Sequence, residues 1–389
     1  MRVALVMEQV AVSRGGAERS TEQFLHHLLE LGVEVELYTA SAPPEGPGLR
    51  VHTIQPAATT RSGRSAAFAR RVDQLLAAGD ADVVHAISPC LRAEVYEPRG
   101  GTVQETIERN LALRRSAGSR SLKRLLSRFN LRQRLMLDLE RRLLAREPRP
   151  VVVALSEYVV AQLRRHYGFP DSHIRRVFNG VDPDPGSEEQ RRRDRSAVRR
   201  RYGVTEDELL VLMVAHNFKL KGVGRWIEAA GRLAGEGVVR FRSLVVGKGS
   251  ASRWRKRVAS AGAGDRVVFA GPVEDVWPFY HAADVLVHPT YYDPCSRVVL
   301  EAMAAGRAVV TTRFDGASDA IEEGVSGYVL DSPEEVGRLA ECVSLLADAE
   351  RRHRMGARAL AAGAGATMRR HAERLIEVYG QVARGRAVV

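Results

Sequence analysis

Two carboxylates, Asp293 and Glu301, lie eight positions apart at a predicted junction between a buried strand and a helix. The strand is predicted over 283–289, because a short apolar run there is closed by a proline. Asp293 followed by Pro294 predicts a helix start, with the aspartate as N-cap and the proline at the first helical position. Gly306 predicts the end of that helix, and a Val-rich run beyond it predicts the next strand. Such a helix directs its positive amino end at the mouth of a parallel sheet, where phosphate groups bind readily.

A lysine and several glycines form further candidate sites for an anion. Lys221 and Gly222 follow the predicted strand 209–215 and precede a predicted helix. A lysine in this position supplies a point charge, and the first turn of the helix supplies amide groups for a phosphate. Gly15 and Gly16, before the first predicted helix, would let the backbone approach a ligand, although a glycine pair is also typical of a plain turn.

The length and composition indicate a protein of two domains. At 389 residues the chain exceeds what one compact core covers, so two domains of roughly 180–200 residues are expected. Hydrophobic residues make up 45% and charged residues 27%, as in soluble globular proteins. The three cysteines, Cys90, Cys295 and Cys342, have neither disulfide nor metal-site spacing, which favours a reducing cytoplasm. The predicted first strand is too short before its first charge for a signal peptide, and no apolar run reaches the roughly 18 residues of a membrane span.

Positive charge is concentrated in residues 107–150. This segment holds 13 Arg and Lys against 4 Asp and Glu, within a chain of net charge +12. Leucines at helical spacing predict amphipathic helices, and a basic amphipathic helix is typical of contact with an anionic membrane surface. A solvated helix pair with one core face is the alternative. Two further arginine triplets, 191–193 and 199–201, are predicted to lie in an exposed linker and helix. No nucleic-acid module accompanies the charge, so nucleic acid is not expected as a partner.

One pattern in the second domain resembles that of a known family. It consists of an acidic residue, seven further residues, a glutamate, a helix that ends in glycine and a Val-rich strand. This family is that of the retaining, nucleotide-sugar-dependent glycosyltransferases called family 4, with the GT-B fold, and in particular its members that build the lipopolysaccharide core and the cell wall. The Gly-Gly loop, the turn 179–182 and the glycine turn at Gly247 also match the family pattern. The resemblance covers nearly the whole chain, with strong motifs in the second domain and looser ones in the first.

The resemblance implies an α/β fold of two doubly wound, Rossmann-like domains that face each other across a cleft. The first domain, residues 1–182, would bind the acceptor, and the helix within 367–389 would pack back on it. The second domain, residues 183–366, would bind the nucleotide sugar.

The resemblance also implies roles for individual residues. Glu301 would hold the ribose hydroxyls, Lys221 would neutralise the leaving diphosphate, and Asp293, where the family more often has glutamate, would lie beside the transferred hexose. The family usually has arginine where this chain has His216, so Lys219 would supply the missing charge. The other residues expected at the donor are Gly15, Gly16, Gly247, Val273, Pro294, Cys295, Ser296 and Arg297. No metal and no cofactor are expected, since no Asp-x-Asp motif lies at the donor site. The alternative interpretation, which does not use the resemblance, is that Asp293 only caps the helix and Glu301 only pairs with Arg297 at i,i+4.

In the first domain no residue is identified as the group that assists the acceptor. His85, at a predicted strand end, either faces the acceptor or is a core histidine. Glu97, Arg99 and Glu105 lie near it in sequence and are left unassigned.

The predicted function is transfer of a hexose, with retention, from a nucleotide diphosphate sugar to a hydroxyl of a saccharide or glycolipid in cell-envelope polysaccharide or lipopolysaccharide synthesis. UDP-sugars, UDP-glucose among them, are the favoured donors. The enzyme is expected in the cytoplasm or as a peripheral protein on the inner face of the plasma membrane. An epimerase or phosphorylase on the same fold, and a non-catalytic saccharide- or membrane-binding descendant, are the alternatives. The base, the sugar, the acceptor and the oligomeric state remain open.

Overall fold

Two parallel β-sheets organise the chain, one in each of two units. The computed structural model describes residues 1–9, 16–41, 46, 48–113, 118, 121, 129–237, 239–249 and 251–386. The first unit comprises Met1–Gly180 together with Thr367–Val389, and the second comprises Val181–Ala366.

The first unit contains a seven-stranded sheet in the order β3-β2-β1-β4-β5-β6-β7. Its strands are β1 (Arg2–Val6), β2 (Glu34–Thr39), β3 (Leu49–Thr53), β4 (Val83–Ala86), β5 (Val95–Tyr96), β6 (Val151–Ala154) and β7 (Ile174–Arg176). The described helices of this unit are Gly16–Glu30, Arg61–Ala78, Val103–Ala112, Leu131–Leu144, Glu157–Tyr167 and Met368–Arg386. Strands β1 and β4 are buried along nearly their whole length, which is the pattern of a parallel sheet covered on both faces.

The last helix, Met368–Arg386, belongs to the first unit although the whole second unit precedes it in sequence. It packs against the helix Gly16–Glu30 and against β4. Its buried apolar residues recur at helical spacing and are Met368, Ala372, Leu375, Val378 and Tyr379. A continuous apolar face of this kind explains why the helix is buried against the sheet of the first unit.

The second unit contains a six-stranded sheet in the order β10-β9-β8-β11-β12-β13. Its strands are β8 (Leu209–Val214), β9 (Phe241–Val246), β10 (Val267–Gly271), β11 (Val285–Val287), β12 (Ala308–Thr312) and β13 (Tyr328–Leu330). The described helices are Glu188–Arg201, Val223–Glu236, Ala251–Ser260, Trp277–Ala282, Arg297–Ala304, Val336–Leu345 and Ala349–Gly363. The strand order runs outward in both directions from the β8–β11 pair, as in a doubly wound Rossmann sheet. The two parallel sheets confirm the predicted fold class.

One arginine of the helix Glu188–Arg201 is buried, although the sequence predicts that both arginine triplets are exposed. Arg199 pairs with Asp284 at 3.1 Å and donates to the carbonyl oxygens of Thr205, at 2.5 Å, and Glu208, at 2.6 Å. A buried guanidinium is tolerated where carboxylate and carbonyl oxygens take up its donors. The prediction is therefore wrong at this position, because the partner carboxylate lies 85 positions away in sequence and only the fold brings it near.

Across the part of the chain that the structure describes, no helix combines the length and apolarity needed to cross a bilayer. The basic segment 107–150 is described mainly at its ends, in the helices Val103–Ala112 and Leu131–Leu144. Most of the amphipathic region predicted between these two helices lies outside the described residues.

Candidate active site

The candidate site lies at the carboxyl edge of the second sheet, where β8 and β11 are neighbours. The strand order changes direction between these two strands, so the loops that follow them diverge and open a crevice. Ligands of open α/β sheets bind in this crevice. The loop after β8 leads to Lys221, and the loop after β11 leads to Asp293. The fold therefore brings together two charged residues from separate sequence motifs.

Gly222 allows the loop after β8 to approach the loop after β11. Its φ of +73° lies in the left-handed region, and a Cβ added to it would lie 1.9 Å from the carbonyl oxygen of Pro289. Only glycine fits both the conformation and the approach. Directly before it, the ammonium of Lys221 donates to the carbonyl of Tyr292 at 3.2 Å and pairs with the carboxylate of Asp293. The Lys-Gly dipeptide thus places the ammonium against the second loop.

Hydrogen bonds of the backbone and of a hydroxyl join the same two loops. The amide of Tyr291 donates to the carbonyl of Leu220 at 2.8 Å. The buried hydroxyl of Thr290 is within hydrogen-bond distance of the carbonyls of Leu220, at 3.2 Å, and Tyr292, at 3.0 Å. These bonds fix the two loops against each other beside the ammonium of Lys221.

Asp293 does not cap a helix, contrary to the prediction from the Asp-Pro pair. The helix is Arg297–Ala304, and its N-cap residue, Ser296, makes no side-chain capping bond. The backbone of Asp293 pairs instead with the chain beyond β12. Its amide donates to the carbonyl of Phe314 at 2.8 Å, and its carbonyl accepts from the amide of Gly316 at 2.9 Å. Because of this pairing Asp293 is not part of the helix, and its carboxylate is free to pair with Lys221.

Asp315 is a site residue that the sequence does not single out. Its buried carboxylate accepts from the amide of Ser296 at 3.0 Å and from the hydroxyl of Ser296 at 2.6 Å. It also accepts from the hydroxyl of Thr311 at 2.8 Å and from the amide of Ala317 at 2.9 Å. The Ser296 hydroxyl is therefore directed at Asp315 and not at the helix that it precedes. The available signal in the sequence is an Asp-Gly pair soon after a buried strand, because residues at that edge of the sheet line the ligand crevice.

The two aspartates differ in how readily they ionise. Burial opposes the ionisation of Asp293, but the ammonium of Lys221 and the ring of His288, whose Nε2 lies 3.7 Å from the carboxylate, lower its pKa to about 2. Burial and the nearby charge of Asp293 raise the pKa of Asp315. Asp293 is thus ionised at neutral pH and holds the ammonium by charge as well as by hydrogen bonding.

Glu301 is half-buried on the helix Arg297–Ala304. Its carboxylate accepts from the hydroxyl of Tyr280 at 2.8 Å and pairs with Arg297 at 3.3 Å. The i,i+4 pair of the alternative interpretation is therefore present. Tyr280 is buried on the helix Trp277–Ala282, and burial together with the charge of Glu301 raises the pKa of its phenol. The carboxylate is consequently oriented by two helices, which the sequence does not predict.

The other predicted donor residues divide between the two units. Those that follow β8, β9, β10 and β11 lie at the same carboxyl edge of the second sheet and are His216, Lys219, Gly247, Val273, Pro294, Cys295, Ser296 and Arg297. His216 and Lys219 are exposed, whereas Val273 is half-buried. A Cβ on Gly247 would lie 1.9 Å from the carbonyl oxygen of Ala215, so the ends of β8 and β9 can approach only with glycine there. In the first unit, Gly16 opens the first helix and Gly15 lies outside the described residues.

His85 is a core histidine of the first unit. It is fully buried, with Nδ1 2.7 Å from the hydroxyl of Tyr379 and Nε2 3.3 Å from the carboxylate of Glu97. Glu97 is equally buried, and its Oε1 lies 3.1 Å from Nε2 of His371 and 3.3 Å from Nε of Arg99. Burial lowers the pKa of His85. Burial opposes the charge of Glu97, but Arg99 and His371 hold its pKa well below the usual value. The structure therefore supports the interpretation of His85 as a core histidine over that of a residue facing the acceptor.

Glu105 belongs to a polar cluster with Glu108 and His166, whose oxygen and nitrogen atoms lie within 4.8 Å of one another. It accepts from Arg109 at 2.5 Å and from Tyr158 at 2.9 Å, and it lies 2.6 Å from His166. These contacts occupy the carboxylate of Glu105, so the cluster is an ion-pair network. The geometry of this cluster supports neither a metal site nor a role for its residues in activating an acceptor.

Two family models match the chain and together cover most of it. The model described as Glycosyltransferase Family 4 matches residues 14–185, and the model described as Glycosyl transferases group 1 matches residues 194–361. The lipopolysaccharide glucosyltransferase WaaG of Escherichia coli K12 is 26% identical over 322 residues, which are 82% of each chain. A D-inositol 3-phosphate glycosyltransferase of Nocardia farcinica is 31% identical over 252 residues, which are 60% of this chain and 56% of that relative.

The chain has the fold of a known glycosyltransferase. The crystal structure of WaaG, a glycosyltransferase involved in lipopolysaccharide biosynthesis, matches it with a TM-score of 0.80 at 24% identity, over 97% of this chain and 99% of that one. The chain belongs to the glycosyltransferases of GT-B type and is a transferase. Within that class it is related to WaaG.

Proposed function

We propose that the enzyme transfers a hexose, with retention of configuration, from a nucleotide diphosphate sugar to a hydroxyl of a saccharide or glycolipid. The observation that carries the proposal is the ammonium of Lys221, held by Asp293 and Tyr292 at the switch point of the second sheet. The nucleotide leaves as a diphosphate, whose negative charge grows as the glycosidic bond breaks. A fixed ammonium at that place stabilises the growing charge and lowers the barrier.

The helix Arg297–Ala304 would assist in the same way. It starts at the same edge of the sheet, and the positive end of its dipole favours a negative group there. The amide of Ser296 is taken by Asp315, so the amides that approach the diphosphate would be those of the first helical turn.

The nucleoside would bind beside the diphosphate. Glu301, oriented by Tyr280, would accept hydrogen bonds from the ribose hydroxyls. The exposed His216 and Lys219 would add positive charge near the phosphates, and Val273 would lie against the base. WaaG of Escherichia coli is named as a glucosyltransferase, so glucose is the proposed sugar and UDP-glucose the first donor to test.

Configuration is proposed to be retained because the new bond forms on the same face of the sugar on which the old bond breaks. The carboxylate of Asp293 is tied to Lys221, which makes it a weak nucleophile toward the anomeric carbon. The acceptor oxygen would bond to the anomeric carbon from the side on which the bond to the diphosphate breaks. Its proton would pass to an oxygen of the departing phosphate, and no metal or further cofactor takes part in this scheme.

The acceptor is proposed to belong to the cell envelope, in line with the name of WaaG. The basic segment 107–150 would then bring the enzyme to the anionic inner face of the plasma membrane from the cytoplasm. Phe129 and Leu131 support this proposal, because these apolar residues are 74% and 63% exposed within a basic stretch. Exposed apolar side chains among arginines are typical of a helix at a membrane surface.

Membrane contact is tested by sedimentation with phosphatidylglycerol vesicles. Binding is expected at low salt, to weaken as salt rises, and to weaken further in a variant with both Phe129→Ser and Leu131→Ser. Absence of binding at every salt concentration would overturn the membrane proposal without affecting the proposed chemistry.

The proposed chemistry is tested by nucleotide release from UDP-, GDP- and ADP-sugars. Wild type is compared with Lys221→Ala, Glu301→Ala and the control Lys256→Ala, which removes an exposed lysine from the helix Ala251–Ser260. Slow hydrolysis of one donor, lost in the first two variants and kept in the control, is expected and would identify the nucleotide. Failure of every donor to bind would overturn the proposal in favour of a non-catalytic protein. Conversion of the sugar without nucleotide release would favour an epimerase.

A further inference from the structure

A cavity of about 500 Å³ lies at the amino edge of the second sheet. Some of its lining residues directly precede strands, as Asp284 precedes β11 and Arg307 precedes β12. Others lie on the helices Glu188–Arg201 and Ala349–Gly363. Because the strands are parallel, residues before them and residues after them lie at opposite edges of the sheet. The cavity is therefore separate from the site around Lys221.

Basic side chains predominate in the lining of this cavity. The arginines are Arg191, Arg192, Arg195, Arg307 and Arg352. Two histidines, His281 and His353, also line it, against the three carboxylates of Glu188, Glu206 and Asp284. The five arginines outnumber the three carboxylates of the lining, and such an excess favours an anion wherever neighbouring carboxylates do not compensate it.

Carboxylates compensate part of this positive charge. Next to the lining, Asp184 pairs with Arg191 at 2.7 Å, and Asp184 and Asp194 lie 3.0 and 2.7 Å from His281. Asp284 is shared between Arg195 and the buried Arg199, at 3.1 Å from each. Glu188 and Glu206 have side chains that are 83% and 78% exposed, and they lie 3.6 and 3.8 Å from their arginine partners. Exposed pairs at such distances contribute little, because water screens them.

Two arginines of the lining have only neutral partners among the residues that the structure describes. Arg307 donates to the carbonyl oxygens of Ala305, at 2.9 Å, and Ala283, at 3.1 Å. Arg352 donates to those of Leu346, at 2.8 Å, and of the following alanine, at 3.0 Å. The carbonyls fix both guanidinium groups in position, and among the described residues neither group has a carboxylate within 4.0 Å.

Charges of both signs lie near Arg307. Burial lowers the pKa of its guanidinium, and the positive charges of Arg195 and Arg191 lower it further, whereas the carboxylates of Asp284 and Asp184 raise it. An anion in the cavity would offset the repulsion among the arginines.

We propose that this cavity is a second binding site, which takes a phosphorylated small molecule and in which Arg307 and Arg352 contact the phosphate. A guanidinium presents its N–H donors in a fixed plane that matches pairs of phosphate oxygens. The volume is in the range that holds a ligand of metabolite size. No residue of the lining belongs to the machinery proposed for hexosyl transfer, so the two proposals stand or fall separately.

Titration calorimetry with inorganic pyrophosphate tests this site. Wild type is compared with Arg352→Gln, Arg307→Lys and Lys221→Ala, because pyrophosphate is also expected to bind at the candidate active site. The matched control is Arg351→Gln, which changes an exposed arginine next to Arg352 on the same helix.

Pyrophosphate binding that survives Lys221→Ala is expected, and its dissociation constant should rise at least tenfold in Arg352→Gln while the Arg351→Gln variant matches wild type. In Arg307→Lys the charge is kept and the paired donors are lost, so a smaller weakening is expected with the fold preserved. Binding that only Lys221→Ala weakens, or equal binding by wild type and Arg352→Gln, would overturn the proposal.

Discussion

Lys221 and Asp293 form an ion pair across 72 positions of sequence, and each residue comes from the loop after a different central strand of the second sheet. The pair holds the ammonium where the crevice of the sheet opens, and it leaves little net charge to be buried there. A diphosphate that enters the crevice would share the ammonium with the carboxylate. The pair therefore contributes to the stability of the second unit and also fixes the charge on which the proposed chemistry depends.

The Asp293→Asn variant should change how stability depends on pH. The pKa of Asp293 in the folded protein is about 2, against an ordinary value of 3.8. A carboxyl group with a lowered pKa stabilises the fold above its ordinary pKa, and this stabilisation is lost as the pH falls toward the folded value. Wild type should exceed the variant by about 2 kcal/mol in unfolding free energy at pH 6, with the difference shrinking between pH 4 and pH 2. Urea unfolding at several pH values measures it, and a difference that does not vary with pH would contradict the ion pair.

Glu301→Gln should affect donor binding more than turnover. A neutral amide keeps one acceptor for the ribose but loses the charge, so the KM for the donor sugar should rise about tenfold with a small change in kcat. Tyr280→Phe removes the hydroxyl that orients the carboxylate and should raise KM in the same direction by a smaller factor. Steady-state kinetics with the donor found above separates the two parameters. A fall in kcat alone, with KM unchanged, would show that Glu301 does not bind the ribose.

Asp315→Ala should destabilise the second unit by about 3 kcal/mol, because two amides and two hydroxyls lose a buried acceptor. Asp315→Asn keeps one carbonyl oxygen for the amides and should lose about 1 kcal/mol. Asp331→Ala, which removes an exposed aspartate paired with an exposed arginine, is the control and should change stability by less than about 1 kcal/mol. Urea unfolding compares the three variants. Equal losses in the alanine variant and the control would rule out the structural role of Asp315.

Arg199→Leu should lower the unfolding free energy by about 3–5 kcal/mol, because Asp284 and two backbone carbonyls lose their charged donor. Arg200→Leu changes the next residue, which is exposed, and should stay within about 0.5 kcal/mol of wild type. Thermal or urea unfolding of this matched pair shows whether the position in the helix or the residue type decides the effect. A similar loss in both variants would contradict the buried network.

Gly222→Ala should destabilise the protein by at least about 2 kcal/mol, since φ is positive and the new methyl group would meet the carbonyl of Pro289. Gly235→Ala, in the same helix Val223–Glu236, places a methyl group where nothing lies within 4 Å, and should stabilise by about 0.5–1 kcal/mol. Opposite signs in urea unfolding are the expected result. A neutral Gly222→Ala would mean that the two loops separate without cost.

The sequence by itself predicts much of the second unit. Apolar runs and the turns between them predict its central strands. Lys221-Gly222 predicts a helix that begins beside a positive charge able to bind a phosphate. These features are visible because strand and helix periodicity, and the glycine at a tight turn, depend on residues close together in sequence. The same features in the first unit are looser, and there the sequence does not decide between a core and a ligand-facing His85.

Only the tertiary structure decides which loops meet. An N-cap is worth about 1 kcal/mol, whereas the buried carboxylate of Asp315 gathers four hydrogen bonds and the backbone of Asp293 pairs with the chain around it. These distant partners outweigh the local preference, so the helix starts at Arg297 and not at Pro294. Arg199 is buried for the same reason. Its partners come from other elements of the fold, and they occupy donors of the guanidinium, which is the condition under which a buried charge is tolerated.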